Sequence, residues 1–527
     1  MDHARRLLQL ANRRQTVGAA AILISFAYLV SRLIGLFRDR LLITHFGYGP
    51  ELSAYNAAFR LPELLFTLLI SGAFAVAFIP VFTAKLKADQ EPEAWDITAS
   101  LLNLLVLGTI AGAVLIFIFA DPLTTLFTPG FDRHTHDLTV QLTRIMAVSP
   151  VLFAISSILG SVQQAFNRFF IFSIAGILYN LGIIIGIQWF APHLGINGVA
   201  WGVVIGVILQ AIIQIVGLAG LGFHYRPVLN LKLAGVRKTL KLMIPRSIDQ
   251  GIDQIHYLAE TMIGSLISTA AVGQFAYANN LKNVPLVLIG SSITTAVFPR
   301  LSQAAASGRE KLIKAYVQTA RIILFLAIPA ALFAFVARGY IVRLLQGDGD
   351  VIVANTLGAF AGTIVFLSLF MLVSRVYYAM QDTRTPLYLS LASVPANIAL
   401  GWFLSQQYGV PGLAASASII AALETLILIW ILNRREHSFG GKEVLSGGIR
   451  MLAAGIILAC CTYLVITNLL PLYATDKGFE VLAPKFATIS LVAAITYLAP
   501  CYFLRLPEAK QFIGRLRDAI LRTMNFT

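Results

Sequence analysis

Long apolar runs recur along the whole 527-residue chain and are separated by short polar segments. A window of about 20 residues, the length of helix that crosses a bilayer, predicts about fourteen membrane-spanning helices. The runs are too long for barrel strands and lack their alternation, so a membrane β-barrel is excluded. The pattern predicts an all-α polytopic membrane protein, with spans centred near Ile24, Leu68, Leu107, Leu152, Ile184, Val207, Tyr257, Ile289, Leu326, Leu367, Leu391, Leu423, Ile457 and Val492.

The composition indicates the same class of protein. Hydrophobic residues make up 57% of the chain and charged residues 12%, with a mean hydropathy of +0.78, which no soluble globular class matches. The three cysteines (Cys460, Cys461 and Cys501) have no metal-ligand spacing and indicate no disulfide framework, and we predict no cofactor. The first apolar run lacks a small-x-small cleavage site, so we interpret it as a retained span.

Basic residues are concentrated in the segments that alternate spans place on one side of the membrane. The positive-inside rule makes that side cytoplasmic, so both termini are predicted to be cytoplasmic. The net charge of +15 then reflects topology and contact with anionic membrane lipids, and nucleic acid is not a predicted partner. These segments are Arg5 to Arg14, Arg226 to Lys241, Arg300 to Arg321, Arg434 to Arg450 and Arg505 to Arg522.

The chain contains an internal repeat. Gly195-Ile-Asn-Gly-Val-Ala200 recurs as Gly409-Val-Pro-Gly-Leu-Ala414, an offset of 214 residues, and Phe78-Ile-Pro80 is matched by Val297-Phe-Pro299. An even number of spans separates the copies, which predicts two parallel-repeat six-helix lobes. We therefore expect an N-terminal lobe over residues 1–225, a C-terminal lobe over 226–435, and two C-terminal helices with a basic tail over 436–527.

Charged residues interrupt the first span. Arg32 lies about 22 Å along a helix that begins at Val17, deep within a hydrocarbon layer of about 30 Å. Such residues usually face a watery, protein-lined cavity, and guanidinium groups suit phosphate oxygens. The alternative is that Arg38, Asp39 and Arg40 lie at the outer interface and extend their side chains toward water. The pattern favours a transporter of an anionic substrate.

Other spans also carry polar residues. Arg60 and Glu63 are three residues apart, so either a local salt bridge or a place in the cavity explains them. For Arg144 and Arg375, structural pairing or extension of the side chain toward the interface is the alternative to a place in the cavity. Along the seventh span, polar residues recur at helical spacing, and their carboxylates either neutralise arginines or bind a coupling Na⁺ or H⁺. These residues are Arg246, Asp249, Asp253, His256 and Glu260.

Several motifs together resemble the MurJ (MviN) family of lipid II flippases. They are Ser31-Arg32-Leu-Ile-Gly35-Leu-Phe-Arg38-Asp39, Phe59-Arg60-Leu-Pro62, Gly72-Ala-Phe74, Phe78-Ile-Pro80, Gln164-Ala-Phe-Asn167-Arg168-Phe169, Phe298-Pro299-Arg-Leu-Ser302 and Tyr378-Ala-Met-Gln381-Asp-Thr-Arg-Thr385-Pro386. The resemblance implies the multidrug/oligosaccharidyl-lipid/polysaccharide exporter fold, with the last two helices forming a groove for a polyprenyl tail. It also implies transfer of the undecaprenyl-diphosphate-linked peptidoglycan precursor from the inner to the outer leaflet of the bacterial cytoplasmic membrane.

The resemblance also implies roles for individual residues. Arg32, Arg38 and Asp39 would belong to a cationic headgroup cavity with the two arginines on the diphosphate, and we add Arg60 to the candidate substrate-binding residues. Glu260 falls where sodium-coupled relatives have a carboxylate, and Asn397 would be its partner in ion coupling. The sequence leaves the energy source open, and also whether cell-wall synthesis proteins are partners.

The chain departs from the family pattern at several positions. Ser53 and Ser71 stand where many members have acidic residues, and Asn280 follows Asn279 where the family has an arginine. Lys282 lies about 200° around the helix from position 280 and is a poor geometric replacement. These departures leave the exact headgroup open.

Three other functions are weighed against lipid II transport. A membrane-embedded transferase would need metal-binding carboxylates or a nucleophile and base in a substantial loop, which the sequence lacks. A cation-coupled drug exporter of the same fold would favour an acidic and aromatic cavity. A flippase for another polyprenyl-linked glycan remains the nearest alternative.

Overall fold

The structure is a computed structural model that describes residues 17–514, apart from 71–72, 224, 348, 437–438, 474 and 477. The side chains at 17–22, 25, 73, 245, 246, 248, 249 and 346 are also outside this description. The side chains of Arg246 and Asp249, the departure at Ser71 and the basic residues within 1–16 and 515–527 therefore lie outside this description. The described chain divides into two compact units, residues 1–273 and 274–527.

The first unit is helical throughout its regular elements. Helix α1 packs against α9, and α12 packs against α3 and α4. The apolar core lies mainly among α4, α5 and α8. The helices are α1 (Val17–Phe46), α2 (Pro50–Ala58), α3 (Arg60–Leu69), α4 (Ala73–Lys87), α5 (Glu91–Ile118), α6 (Ala120–Phe127), α7 (Arg133–Met146), α8 (Ser149–Ala165), α9 (Phe169–Ile185), α10 (Ala191–Leu194), α11 (Ile196–Gly217) and α12 (Ala234–Ile267), with a π-helical turn at Gly186–Phe190.

The second unit is built in the same way. Its largest core cluster joins α15, α18, α20 and α21. The helices are α13 (Ala271–Pro285), which begins in the first unit, α14 (Ser292–Ala306), α15 (Arg309–Val336), α16 (Arg338–Gln346), α17 (Val351–Ala359), α18 (Ala361–Ala379), α19 (Arg384–Arg435), α20 (Gly441–Leu464) and α21 (Phe479–Phe503), with π-helical turns at Leu286–Ser291 and Val465–Leu469.

The number of spans agrees with the prediction. Within the described residues, eleven helical stretches are long and apolar enough to cross a membrane. One of them, α19, is two helices joined at Gly409, where φ is 61° and ψ is −141°. Helices α1 and α12 have 30 and 34 residues, enough to cross a bilayer, but carry more polar residues. Together these give the fourteen predicted spans, and the all-α fold is confirmed.

The internal repeat is visible in the backbone. Gly195 has φ 58° and ψ −143°, almost the values at Gly409, in a region that only glycine adopts readily. The same offset of 214 relates Asn167 to Gln381, which both have positive φ. It also relates two side-chain contacts, because Gln163 donates to the Gln214 carbonyl at 2.8 Å and Tyr377 donates to the Leu428 carbonyl at 2.9 Å. The lobe boundary at 225 stays a prediction, since α12 lies in the first compact unit.

Asp382 organises the start of α19, outside the spans. Its carboxylate accepts hydrogen bonds from the backbone N–H groups of Arg384 and Thr385, from the Thr385 hydroxyl at 2.6 Å and from Arg435 at 2.6 Å. Burial is the largest influence and by itself raises the pKa of Asp382. The hydrogen bonds from Thr385 and Arg435 outweigh it and lower that pKa to about 2.

Candidate functional site

Arg38, on α1, is held by two polar side chains. Its Nε and Nη2 both donate to Asp39 Oδ1, at 3.0 and 2.6 Å, and its Nη1 donates to Asn180 Oδ1 at 2.9 Å. The side chains of Arg38 and Asp39 are 21% and 11% exposed, so most of the pair is buried within a span. The opposite charges offset each other, which lowers the cost of holding them there.

The guanidinium of Arg38 has donors left over. It carries five N–H bonds, and Asp39 and Asn180 take one from Nε, one from Nη2 and one from Nη1. One N–H therefore remains on each terminal nitrogen, with no further hydrogen-bond acceptor for Arg38 among the described residues. Two such donors can bind two oxygens of one phosphate.

Asn180, on α9, is part of this site and was missed by the sequence analysis. Its Nδ2 donates to the Gly176 carbonyl at 2.9 Å and to Ser31 Oγ at 3.3 Å. It is 8% exposed. The signal in the sequence is faint: a single amide within the apolar run from Phe169 to Ile185. Periodicity cannot indicate whether such a residue faces another helix or the lipid.

The other predicted residues of α1 differ in their surroundings. Arg32 and Arg40 are partly buried, and Asp39 is buried at 8% exposure. Tyr28, four residues before Arg32 on α1, is 53% exposed. From Tyr28 through Arg32 to Asp39, the polar side chains of α1 therefore become more buried.

Arg60 connects α3 to α12. Its Nε donates to Thr261 Oγ1 at 3.0 Å, and its guanidinium carbon lies 5.3 Å from the centre of the Tyr257 ring. The predicted local salt bridge is present as a looser contact of 3.7 Å from Nη1 to Oε2 of Glu63, whose side chain is 45% exposed. Arg60 is thus tied to the seventh span more closely than to its neighbour along α3.

The two residues predicted to couple an ion lie in different units. Glu260 and His256 are partly buried on α12, and Asp253 is exposed there. Asn397, in the second unit, is 6% exposed and accepts a hydrogen bond from Ser416 Oγ at 3.2 Å. Their roles in coupling stay predictions. Among the described residues, no group of three or more His, Cys, Asp or Glu side chains could hold a metal ion.

Three other cations within described spans lie over aromatic rings. Arg144 lies 5.7 Å from the ring of Phe117 and donates to the Phe117 carbonyl, and Arg375 lies 5.1 Å from the ring of Phe298. Lys282 is 7% exposed, with its Nζ 4.4 Å from the ring of Phe360. Cation–π contacts of this kind stabilise buried cations and favour the structural interpretation of Arg144 and Arg375.

Known proteins resemble this chain over most of its length. A family described as "Lipid II flippase MurJ" matches residues 42–496. The "Probable lipid II flippase MurJ" of Bdellovibrio bacteriovorus is 28% identical over 513 residues, covering 93% of this chain and 95% of that protein. The "Lipid II flippase MurJ" of Burkholderia cenocepacia is 26% identical over 462 residues, covering 84% and 88%.

Solved structures resemble the fold. A lipid II flippase MurJ in an inward closed conformation has a TM-score of 0.76 at 24% identity, covering 92% of this chain and 99% of that one. An inward-facing multidrug resistance transporter of the MATE family and MOP superfamily has a TM-score of 0.62 at 15% identity, covering 80% and 98%. Both likenesses concern the fold alone.

Proposed function

The chain belongs to the MurJ family of lipid II flippases, and on that premise we propose that it moves lipid II across the bacterial cytoplasmic membrane. Lipid II is the undecaprenyl-diphosphate-linked precursor of peptidoglycan. The chain is a multi-pass membrane transporter rather than an enzyme. The proposed direction is from the inner to the outer leaflet by alternating access, with both termini in the cytoplasm.

The Arg38 site is the observation that supports this proposal most. A diphosphate carries negative charge that cannot cross hydrocarbon unaided, whereas its polyprenyl tail can stay in the lipid. Asp39 and Asn180 hold the guanidinium of Arg38 while one N–H on each terminal nitrogen remains. We assign these donors to the diphosphate. Arg32, partly buried on the same helix, supplies a second positive charge for the headgroup.

The other candidate residues have supporting roles in the proposal. Arg60 contacts Thr261 and Tyr257, so it keeps α3 in register with α12 and adds positive potential near the headgroup. Glu260, with Asn397, binds a coupling Na⁺ or H⁺. Anionic lipids contact the basic segments, and any protein partners belong to cell-wall synthesis. Asn280 stands where the family has an arginine, and this departure keeps another polyprenyl-linked glycan as the alternative substrate.

Genetic complementation tests the proposal. The full chain is expressed in a bacterium depleted of its own lipid II flippase, and growth is scored together with membrane levels of the protein. The wild-type chain should restore growth and Arg38→Gln should not. Arg321→Gln is a matched control, because Arg321 pairs with Glu508 at 2.6 Å with the same 21% side-chain exposure, but lies in the second unit. It should support growth.

Other outcomes contradict the proposal in different ways. Normal growth with Arg38→Gln at wild-type protein levels would remove Arg38 from headgroup binding. Failure of both variants at wild-type levels would show that the loss is not specific to this site. A wild-type chain that inserts and folds but does not complement would favour a different polyprenyl-linked glycan as the substrate.

A further inference from the structure

We propose that Asn180 is a positioning residue that orients the phosphate-binding donors of Arg38. This inference rests on the proposed function and extends it to a residue of α9 that does not itself bind the substrate. Asn180 is placed to act through Arg38, because its Oδ1 accepts from Arg38 Nη1 at 2.9 Å. The contact joins residues 142 positions apart in the chain, so it depends on the packing of α9 against α1.

Asp39 alone leaves the guanidinium incompletely fixed. Both hydrogen bonds that Arg38 donates to Asp39 end on one oxygen, Oδ1, and both come from the same side of the guanidinium, Nε and Nη2. A planar group held at one acceptor can still tilt about that point. The bond from Nη1 to Asn180 supplies a second, separate acceptor on the other terminal nitrogen. Two separated acceptors fix both the plane of the guanidinium and the direction of its two remaining N–H bonds.

Asn180 is itself held in one orientation. Its Nδ2 donates to the carbonyl of Gly176, one turn earlier on α9, and to Ser31 Oγ on α1. A flipped amide would place the NH₂ group against the donors of Arg38 and the oxygen against the Gly176 carbonyl, so the network admits only the observed orientation. Asn180 therefore presents a fixed acceptor, at no further entropic cost when a substrate arrives.

Glycines keep the two helices close enough for this contact. A Cβ added at Gly176 would lie 3.2 Å from Ser31 Oγ, and one added at Gly35 would lie 3.6 Å from Asn180 Oδ1. The first distance is tight for a Cβ contact, so a larger residue at position 176 would require Ser31 Oγ, a hydrogen-bond partner of Asn180, to shift by a few tenths of an ångström. The local sequence thus brings a short amide side chain within reach of Arg38.

A double-mutant cycle tests the proposal with the purified full chain in nanodiscs and lipid II as the probe. Asn180→Ala should weaken binding by about tenfold when Arg38 is present, as loss of a charged hydrogen bond commonly does. It should change binding by less than about twofold in the Arg38→Gln background, because the group that it orients is gone. A merely structural role would weaken binding equally in both backgrounds, and that result would overturn the proposal.

Two further variants keep the test decisive. Asn180→Ser is too short to reach Arg38 but can donate to the Gly176 carbonyl, so it removes the Arg38 contact with little disturbance of α9. Its binding should be weakened by the same factor of about ten, and it supplies the measurement if Asn180→Ala folds poorly. Ser31→Ala removes the Oγ acceptor of Asn180 but leaves the carbonyls of Ser31 and Gly176, so it should weaken binding by less than about twofold in both backgrounds.

The cycle separates failure of this inference from failure of the proposed function. If Arg38→Gln binds lipid II as tightly as the wild type, the assignment of Arg38 to the diphosphate fails. If Arg38→Gln binds weakly and both Asn180 variants bind like the wild type, only the positioning role of Asn180 fails. Thermal unfolding of each variant identifies any loss of binding that follows from loss of folded protein.

Discussion

Replacement of Arg60 by glutamine tests whether this arginine ties α3 to α12. The side chain makes three contacts: a hydrogen bond to Thr261 at 3.0 Å, a cation–π contact with Tyr257 at 5.3 Å and a looser ion pair with Glu63 at 3.7 Å. Two of the three cross to the seventh span. Glutamine removes the charge and shortens the side chain, so all three are lost or weakened.

The contacts set the size of the effect. A hydrogen bond from a charged donor contributes about 1.5 to 3 kcal/mol. A cation–π contact contributes about 0.5 to 2 kcal/mol. The ion pair adds no more than about 1 kcal/mol, because 45% of the Glu63 side chain is exposed. We expect Arg60→Gln to lower the free energy of unfolding by about 2 to 4 kcal/mol, since such terms are not fully additive.

Denaturant unfolding of the detergent-solubilised protein, followed by tryptophan fluorescence, measures this change. Thr261→Val keeps the shape of Thr261 but removes its hydroxyl, and should couple to Arg60→Gln by about 1 to 2 kcal/mol in a double-mutant cycle. Arg338→Gln is the control, because the contacts of Arg338 with Phe335 and Asn355 among the described residues are solvent-exposed and join positions no more than 17 residues apart. Its loss should be below about 1 kcal/mol.

The reasoning is refuted if Arg60→Gln changes stability no more than Arg338→Gln, or if the Arg60 and Thr261 effects simply add. In either case the observed contacts would not hold α3 to α12. The role of Arg60 would then be limited to the predicted contact with the substrate, and its loss would appear in lipid II binding rather than in unfolding.

Three further predictions concern coupling, the repeat and the start of α19. Glu260→Gln should make transport in proteoliposomes independent of the coupling ion or membrane potential, which supplies about 2.3 kcal/mol per charge per 100 mV, and unchanged dependence would remove Glu260 from coupling. Gly195→Ala should lower the free energy of unfolding by about 1 to 3 kcal/mol through backbone strain alone, since no atom lies within 4 Å of the added Cβ; an unchanged value would contradict this. The pKa of Asp382 is about 2 in the folded chain and about 3.9 when unfolded, so its stabilisation is present above about pH 4 and lost as the pH falls toward 2. The difference in thermal unfolding between wild type and Asp382→Asn should therefore close toward pH 2, and a difference independent of pH would be inconsistent with this linkage.

The spans and the repeat could be predicted because each depends on short stretches of local sequence. Lipid surrounds every span, so an apolar run of sufficient length identifies a span without information about how the helices pack. The repeat was identified from glycine motifs, and glycine is required at Gly195 and Gly409 by their backbone conformation. The second compact unit begins at Gln274 rather than at the repeat boundary, because the packing of α12 on α3 and α4 is a tertiary property.

The candidate site could be predicted only in part. Arg38 and Asp39 are adjacent, and charges within a span indicate a site by their cost alone. Asn180 could not be found in this way, because a single amide costs much less than a charge in an apolar helix and its partner is 142 residues distant. The contact between Arg60 and Thr261 spans 201 residues and escaped prediction for the same reason. Helical periodicity shows which residues share one face of a helix, but only the packing of the helices determines which neighbour that face contacts.

The most direct measurement is lipid II flipping by the purified chain in proteoliposomes, with Arg38→Gln and Arg321→Gln compared at equal amounts of folded protein. Removal of a charge-assisted phosphate contact worth about 1.5 to 3 kcal/mol should slow flipping at limiting substrate by one to two orders of magnitude. Arg321→Gln, which removes an arginine of equal exposure and an equally short ion pair, should flip at the wild-type rate. Equal rates for wild type and Arg38→Gln would contradict the account, because the headgroup would then cross without the donors of Arg38.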